Sequence, residues 1–406
     1  MSLESIVFGT KHFTTAEEPQ KVSSPKSKAP VWVDPDDLAP LEGSNHERFQ
    51  QSVQNADVSW AAAPAEAKAE TVDASDLFSE NTGKIPSDKL LIVRVADLFA
   101  PKVRGAKVVN VEFNSEEDLA AILDSKGTVH VVSVNGKDNK VQDSISFVKQ
   151  PQRYCMCYSA DGESIFVAGQ NRSLHCIDYK TRNTFSTVIN FNNKNERVDF
   201  RKIYCSKNNR LIVLLSGQRV FFVDATHRVL EKFISTSDEM LCGTFSDDCE
   251  YFIAAGKNGK GLIFDCETYT AVSAFQDKEF QTIHSIDFSH GRVAMGTEAG
   301  VLHLYDFQNL KSKYPEPLFT KLNLSTRVDT VKFNPTGELV AFASSLKRNS
   351  LRILHFSSQK VFPNWPTQNT PLGTVSDVSF DATSQYITIA NQEGKCTLWE
   401  LSFYKK

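Results

Sequence analysis

Short runs of alternating apolar and polar residues recur along the chain from residue 89 to residue 406. Each run has an apolar segment that ends at an anchor residue, then a polar turn and further apolar segments. Successive anchors are spaced by 45, 47, 40, 43, 45 and 47 residues. The period-two alternation and the β-branched and aromatic residues predict several short strands in each repeat. The anchors are Phe113, Tyr158, Cys205, Phe245, Phe288, Phe333 and Phe380.

Turn signals divide each repeat into strands, because glycine pairs mark the tight turns of β-hairpins. The pairs are Asp161-Gly162, Asn258-Gly259, Ala299-Gly300, Thr336-Gly337 and Glu393-Gly394. A later apolar strand of most repeats ends in an acidic residue, namely Asp178, Asp224, Asp265, Asp306 or Glu400. We interpret the aspartates among them as turn caps that accept backbone N–H groups, in preference to a repeated carboxylate site. Seven units of this length, each with four short strands, predict an all-β fold, a seven-bladed β-propeller over residues 89–406.

The last repeat ends soon after the sequence LWELSF, so the C-terminal end of the chain offers no outer strand for the seventh blade. The segment Leu90–Leu98 precedes the first anchor and is apolar and strand-like. We therefore predict that residues 89–98 complete blade 7 and join the two ends of the ring, which leaves no open sheet edge between them.

Residues 1–88 differ in character from the rest of the chain. They carry 7 Lys and Arg against 15 Asp and Glu, whereas residues 89–406 carry 38 against 34. Their composition predicts a largely disordered, flexible acidic tail, because little apolar surface is available to offset the entropy of ordering. Three apolar islands interrupt this tail and are predicted to bind partner proteins, with packing on the chain's own propeller as the alternative. The island residues are Ile6, Val7, Phe8, Gly9, Val31, Trp32, Val33, Asp34, Asp36, Asp37, Phe49 and Trp60.

Sequence motifs for chemistry are absent, so no catalytic residue, metal ligand or cofactor is assigned. The eight Cys form no CxxC pair and no zinc spacing, and we expect buried, reduced thiols. The segment Gly256–Gly261 resembles a phosphate-binding loop, but Leu262 follows it and a hairpin turn is expected there. His175 and His303 lie within predicted strands and are interpreted as packing residues. The sequence shows no signal-peptide pattern and no long apolar stretch, so we expect an intracellular protein without a membrane partner.

The net charge of −4 excludes a strongly basic protein that coats nucleic acid, but it permits local basic surfaces. Basic residues cluster before blade 1 and between blades 2 and 3, and further lysines (Lys311, Lys313 and Lys321) flank a proline-containing loop that we place after blade 5. Such loops could contact RNA phosphates with little sequence readout, or they are ordinary solvated loops. The candidate RNA contacts are Lys102, Arg104, Lys107, Lys194, Arg197, Arg201 and Lys202.

The repeats resemble degenerate WD40 repeats: no repeat has a Gly-His dipeptide, and only Trp399-Glu400 approaches the Trp-Asp pair. Together with the islands of the tail, they resemble the U3 small nucleolar RNA-associated protein 18 family. The matching segments are Ile6–Gly9, Pro30–Asp34 with Asp36-Asp37, Arg48–Gln50 followed by Trp60-Ala61, Asp76-Leu77 near Thr82-Gly83, and the closing repeats around Phe333 and Phe380.

This resemblance implies a non-catalytic WD-repeat scaffold of the small-subunit processome in the nucleolus of the nucleus. The implied partners are other WD-repeat proteins of a processome subcomplex, the U3 small nucleolar ribonucleoprotein and pre-rRNA. The implied role is support of the cleavages that lead to 18S rRNA and the 40S subunit. Some members also bind the exosome-associated helicase through an N-terminal peptide that Val7-Phe8-Gly9 would match, although Thr10 stands where an acidic residue is expected.

Two functions of other classes remain as alternatives. A propeller of this kind could serve as a substrate receptor or signalling adaptor outside ribosome assembly. An enzymatic propeller would need catalytic carboxylates or a metal at the mouth of the channel, and the sequence shows no such cluster.

Overall fold

A computed structural model shows a ring of seven four-stranded antiparallel sheets. It describes residues 85–86, 88–100, 106–146, 155–190, 198–279, 281–367 and 369–405. Within each sheet the strands follow one another in sequence order, apart from the seventh sheet, which combines the two ends of this region. The predicted all-β, seven-bladed propeller is confirmed. We number the blades 1 to 7 from the first anchor and call the four strands of a blade inner, second, third and outer.

The inner strands carry the seven anchors at or next to their C-terminal ends. They are β2 (Val108–Phe113), β6 (Cys155–Tyr158), β10 (Lys202–Cys205), β14 (Met240–Phe245), β18 (Ile283–Ser289), β22 (Thr330–Phe333) and β26 (Val375–Phe380). The second strands are β3 (Leu119–Asp124), β7 (Ser164–Ala168), β11 (Leu211–Ser216), β15 (Tyr251–Gly256), β19 (Arg292–Thr297), β23 (Leu339–Ala343) and β27 (Tyr386–Asn391). These second strands are almost continuously apolar because both of their faces are covered by neighbouring blades.

The third and outer strands complete the blades. The third strands are β4 (Thr128–Ser133), β8 (Ser173–Asp178), β12 (Arg219–Asp224), β16 (Lys260–Asp265), β20 (Leu302–Asp306), β24 (Leu351–His355) and β28 (Cys396–Leu401). The outer strands are β5 (Val141–Ser146), β9 (Asn183–Val188), β13 (Leu230–Ser235), β17 (Thr270–Gln276), β21 (Phe319–Lys321), β25 (Lys360–Val361) and β1 (Ile92–Arg94). One short helix, α1 (Phe307–Leu310), follows β20 in the described part of blade 5.

Blade 7 is completed by a strand from the other end of the region. β1 pairs antiparallel with β28, with Ile92 opposite Leu401 and Arg94 opposite Trp399. This strand lies inside the segment for which the sequence predicts the closing strand. A bridge between Phe99 and Cys396 extends the contact beyond β1. The two ends of the ring therefore share one sheet, and neither leaves an unpaired edge at the junction.

The hydrophobic core consists of seven clusters in the described residues, and each cluster joins two successive blades. The cluster between blades 7 and 1 contains Leu98, Ile122 and Leu398, so the core is continuous around the ring. Burial of one such side chain stabilises the fold by about 1.5–3 kcal/mol. The blades are thus held mainly by apolar packing between neighbours.

The glycines of the predicted hairpin turns have the backbone conformation that such turns require. Gly162, Gly259, Gly300, Gly337 and Gly394 all adopt positive φ, which is the conformation their predicted turns require. At Gly300 a Cβ atom would approach the carbonyl oxygen of Leu324 to 2.5 Å, so this turn also needs glycine for space.

Candidate functional site

The strand directions give the propeller two distinct faces. All inner strands run the same way, because each begins after an outer strand and each blade is antiparallel. We call the face where the inner strands begin the start face; it also carries the turns between second and third strands. The opposite face, where the inner strands end and turn into the second strands, is the end face. Loops on these faces and the central channel are the candidate binding surfaces of such a ring.

Polar side chains from five blades meet around the propeller axis. Glu112, Asp287 and Lys332 each directly precede an anchor on an inner strand, so their side chains alternate with the anchor side chains. Lys332 of blade 6 interacts electrostatically with Asp287 of blade 5, Glu112 of blade 1 and Asp377 of blade 7, and with Cys157 of blade 2. Residues so far apart in the ring can approach one another only at the central channel. The channel is therefore lined by one charged cluster.

Side chains of this lining also link neighbouring inner strands. The backbone N–H of Tyr158 donates to Oε2 of Glu112 at 2.9 Å, and that of Phe333 donates to Oδ2 of Asp287 at 2.6 Å. The N–H of Val111 donates to Oδ2 of Asp377 at 3.1 Å. The free edge of an inner strand has no sheet partner, so these acceptors satisfy N–H groups that would otherwise be unpaired.

The environment of the channel shifts the pKa values of Glu112 and Asp287 upward. Burial raises the pKa of Glu112 to about 7, although the cation of Lys332 and the N–H of Tyr158 oppose this. Burial likewise raises the pKa of Asp287. For Lys332, burial lowers the pKa, but the carboxylates of Asp287, Glu112 and Asp377 outweigh it and the net shift is upward. The lysine and the carboxyl groups therefore stabilise one another's charges.

The aspartates at the ends of the third strands cap turns, as the sequence predicts, whereas Glu400 accepts the side-chain amide of Gln385 at 2.8 Å and pairs with Lys405. Asp178 accepts the N–H of Thr181 at 3.0 Å, Asp265 that of Glu267 at 2.8 Å, and Asp306 that of Gln308 at 3.0 Å. These bonds hold the pKa values of Asp178 and Asp265 below the usual range of an aspartate. Their role is structural, and they do not form a repeated binding site.

The glycine segment, the cysteines and the two histidines that the sequence analysis discussed all lie in structural positions. Gly256–Gly261 contains the turn between β15 and β16, so its glycines serve a hairpin. All eight cysteines are free thiols, and all except the half-buried Cys205 are buried. His175 and His303 bond through Nδ1 to Ser186 and Thr320 on adjacent strands. Over the described ranges no group of His, Cys, Asp and Glu has the arrangement of a metal site.

None of the helices in the described part of the chain has the length and apolar composition needed to cross a bilayer.

Three of the seven candidate RNA contacts lie in the described residues. Lys107 is exposed where blade 1 begins on the start face. Arg201 and Lys202 are exposed on the same face where blade 3 begins, but Arg201 forms an ion pair with Glu239. Lys102, Arg104, Lys194 and Arg197 lie outside the described residues. The three described candidates therefore share one face but not one surface.

The loop that carries Lys311 and Lys313 was placed wrongly by sequence reasoning. It joins β20 to β21 and so lies inside blade 5, not after it. Lys321 belongs to β21 itself, and its ammonium lies over the Phe319 ring. The cause is the shortness of β21, whose three residues carry little strand signal between the proline-containing loop and the next repeat.

The predicted partner-binding residues all lie outside the described residues: Ile6, Val7, Phe8, Gly9, Val31, Trp32, Val33, Asp34, Asp36, Asp37, Phe49 and Trp60. Their role stays a prediction. The charged channel was missed from the sequence, although a signal was present. Glu112, Asp287 and Lys332 are single charged residues at the same position of three apolar strands, directly before the anchors.

Degenerate WD-type repeats and a closed ring of seven four-stranded blades define a WD40-type β-propeller protein. No family model matches the chain. U3 small nucleolar RNA-associated protein 18 of Saccharomyces cerevisiae is 26% identical over 379 residues, which cover 80% of this chain and 62% of the yeast protein.

Two mammalian relatives also match most of this chain. The homologue of Homo sapiens is 22% identical over 335 residues, covering 80% of this chain and 59% of its own length. The homologue of Mus musculus is 23% identical over 430 residues, covering 95% of this chain and 77% of its own length. The chain thus spans about three fifths of the yeast and human proteins. The resemblance drawn from the sequence is confirmed as a similarity over most of the chain.

Proposed function

We propose that this chain is a non-catalytic scaffold of the small-subunit processome that supports U3-dependent processing of pre-rRNA toward 18S rRNA. The observation that carries the proposal is the similarity, over 80% or more of the chain, to proteins named for association with U3 small nucleolar RNA. A processome component of this kind acts in the nucleolus. It assembles with other WD-repeat proteins, with the U3 ribonucleoprotein and with pre-rRNA.

The geometry of the propeller supports a scaffold role. Apolar clusters join every pair of neighbouring blades, and some neighbouring inner strands are linked by side chain to backbone bonds beside the channel. Such a ring holds its surface loops in fixed positions around two faces, which suits simultaneous contact with several partners. The channel carboxylates of Glu112, Asp287 and Asp377 accept backbone N–H groups of neighbouring inner strands. These hydrogen bonds give the three carboxylates a structural role.

The tail supplies the second part of the proposal. Trp32 and the acidic residues Asp34, Asp36 and Asp37 lie within six successive positions of the sequence and form an aromatic and acidic island in residues 1–88. Short segments of this composition bind by ordering on a partner. In this proposal the island docks on another subunit, and Val7-Phe8-Gly9 recruits the exosome-associated helicase.

Sedimentation of the tagged full chain from eukaryotic cells tests this function. We expect the chain to co-sediment with large pre-ribosomal particles at native salt and to leave them after ribonuclease treatment. Trp32→Ala should shift the chain toward light fractions without changing its melting temperature, whereas the control Phe13→Ala should sediment like the unaltered chain.

Two outcomes would overturn the proposal. One is sedimentation of the full chain only in small complexes that contain ubiquitin-ligase or receptor subunits, which would favour a substrate receptor or signalling adaptor. The other is a large fall in melting temperature for Trp32→Ala, which would show that the island packs on the propeller instead of on a partner.

A further inference from the structure

The turns that join the second strands to their neighbours differ in charge between the two faces of the propeller. On the start face, the seven turns between second and third strands contain six Lys or Arg and two Glu. On the end face, the seven turns between inner and second strands contain two Lys or Arg and ten Asp or Glu. The run Glu116-Glu117-Asp118 in blade 1 is an example of the acidic face. Of these two sets of turns, the start-face set therefore attracts a polyanion more strongly. The connections from outer to inner strands on the same face add acids, such as Asp238 and Glu239, so the attraction is confined to sectors without them.

The cations of the start face are paired with acids on blades 3 and 4. Arg201 and Lys257 both form ion pairs with Glu239, the latter at 2.7 Å. Lys260 pairs with Asp238 at 2.7 Å. The two neighbouring acids neutralise much of the charge in this sector, so it offers little net attraction for an anion.

Blades 6, 7 and 1 differ, because four exposed lysines of their start face have no such neutralisation. They are Lys347 of blade 6, Lys395 of blade 7, and Lys107 and Lys126 of blade 1. Across the described ranges no carboxylate forms an ion pair with any of the four lysines. The nearby Glu393 is already paired with Arg348. We call Lys107, Lys126, Lys347 and Lys395 the lysine arc.

Hydrogen bonds between loops hold the lysine arc together as one surface. The N–H of Ser125 donates to the carbonyl oxygen of Lys107 at 2.8 Å, which joins the two positions on blade 1. The N–H of Cys396 donates to the carbonyl oxygen of Phe99 at 2.9 Å, and it links the turn of Lys395 to the segment that leads into blade 1. Nε2 of Gln392 donates to the carbonyl oxygen of Ser345 at 3.4 Å and connects blades 7 and 6.

We propose that the lysine arc is a docking surface for the phosphate backbone of double-stranded RNA; the choice of RNA rests on the proposed function. Lysine ammonium groups bind phosphates as point charges and release counterions, and this binding needs no base contact. The arc is thus a positioning surface that sets the orientation of the ring on an RNA helix.

The composition of the arc favours a nucleic-acid backbone over a protein partner and a duplex over a single strand. Protein interfaces are depleted in lysine and enriched in aromatic residues at their centres. Single-stranded RNA is bound by stacking of bases on exposed aromatic rings. The large exposed aromatic side chains in the described part of the chain are Phe185 and Tyr314, and both lie away from blades 6, 7 and 1. A lysine surface without exposed rings fits the regular phosphates of a helix.

Binding of a fluorescent RNA duplex of about 20 base pairs to the purified full chain tests the proposal. The test variant changes Lys107, Lys126, Lys347 and Lys395 to Gln, which removes charge but keeps side-chain length. We expect this variant to bind at least about tenfold more weakly at 0.1 M salt. The slope of log affinity against log salt should fall by about three to four, or about one for each lost phosphate contact.

A control variant changes Lys137, Lys140, Lys180 and Lys207 to Gln, which are exposed lysines at the end-face side of blades 1 to 3. It loses the same net charge and should bind RNA as the unaltered chain does. The proposal would be overturned if the arc variant bound the duplex as tightly as the unaltered chain does. It would also be overturned if the control variant lost as much affinity as the arc variant. Equally tight binding of polyglutamate would overturn it as well, because this would indicate an acidic protein partner. Both variants must retain the melting temperature of the unaltered chain.

This outcome is separable from failure of the proposed function. If the unaltered chain enters pre-ribosomal particles but the arc variant shows no loss of duplex affinity, the RNA-binding surface alone is wrong. If the unaltered chain stays out of the particles, the proposed function is wrong, whatever the duplex measurement shows.

Discussion

The carboxylate of Glu112 in blade 1 accepts the backbone N–H of Tyr158 in blade 2 at 2.9 Å. This bond crosses the boundary between two repeats and lies beside the central channel. Equivalent acceptors, Asp287 and Asp377, serve the boundaries between blades 5 and 6 and between blades 7 and 1. Charged residues inside apolar strands therefore link successive blades, and the channel of this ring is a structural element.

Replacement of Glu112 by alanine should destabilise the propeller. The N–H of Tyr158 would lose its acceptor in a poorly solvated place, which costs about 1–3 kcal/mol. Glu112→Gln keeps an acceptor oxygen and should cost less. Urea unfolding measures both changes, with Glu116→Ala in the exposed first turn of blade 1 as the control. An alanine variant as stable as the control would show that the bond contributes nothing.

The raised pKa of Glu112 predicts a pH dependence of stability. Its pKa lies near 7 in the folded chain and near 4.5 when exposed, so between these values the folded state binds more protons. The free energy of unfolding should therefore fall as pH rises through this window, with a slope of at most about 1.4 kcal/mol per pH unit. Below pH 4.5 this contribution is fully present, and above pH 7 it is lost.

The difference between the unaltered chain and Glu112→Gln isolates this effect. Burial lowers the pKa values of His175, His284 and His355, so their contribution to stability has the opposite sign in the same window. These histidines are present in both chains and cancel in the difference. Parallel stability curves for the two chains between pH 4.5 and pH 7 would contradict the prediction.

Lys332 should be coupled energetically to Asp287. Lys332→Met leaves Asp287, Glu112 and Asp377 without their shared cation and should destabilise the ring by about 2 kcal/mol or more. Asp287→Asn relieves part of this repulsion, so the double variant should be more stable than the sum of the two single effects predicts. A double-mutant cycle on unfolding free energies measures the coupling. Additive effects would mean that the charges are screened from each other by channel water.

Ring closure should depend on the segment that contains β1. A chain beginning at residue 85 keeps β1, Leu90 and Leu98 and should melt at the temperature of the full chain. A chain beginning at residue 106 loses these apolar contacts and exposes the edge of β28, so it should melt lower or aggregate. Leu98→Ala should cost about 2–5 kcal/mol, because this side chain is 2% exposed. Equal melting of the two shortened chains would contradict the observed closure.

The repeat pattern predicted the blades because each anchor lies at or next to the end of a mainly apolar inner strand. Phe113 and Phe380, for example, end β2 and β26 as their positions in the repeat require. The aspartate turn caps were also predictable from local sequence, since Asp178 and Thr181 are only three positions apart. The three-residue strand β21 was obscured by its short length, so Lys311 and Lys313 were assigned to the wrong connection.

Interactions across the ring were not predictable in this way. Lys332 and Glu112 are far apart in the sequence and meet only because the ring closes between blades 7 and 1. The pairing of Arg201 with Glu239 also needed the three-dimensional position of two successive loops. Local pattern identifies which residues are charged, whereas tertiary structure decides which of those charges are neutralised.

Purification of the tagged full chain at native salt, with identification of the bound RNA and proteins, tests the proposed scaffold role most directly. The account predicts recovery of U3 small nucleolar RNA and pre-rRNA together with other WD-repeat proteins, and retention of those proteins after ribonuclease treatment. Recovery of neither RNA, with a ubiquitin-ligase or receptor complex as the main partner, would contradict it.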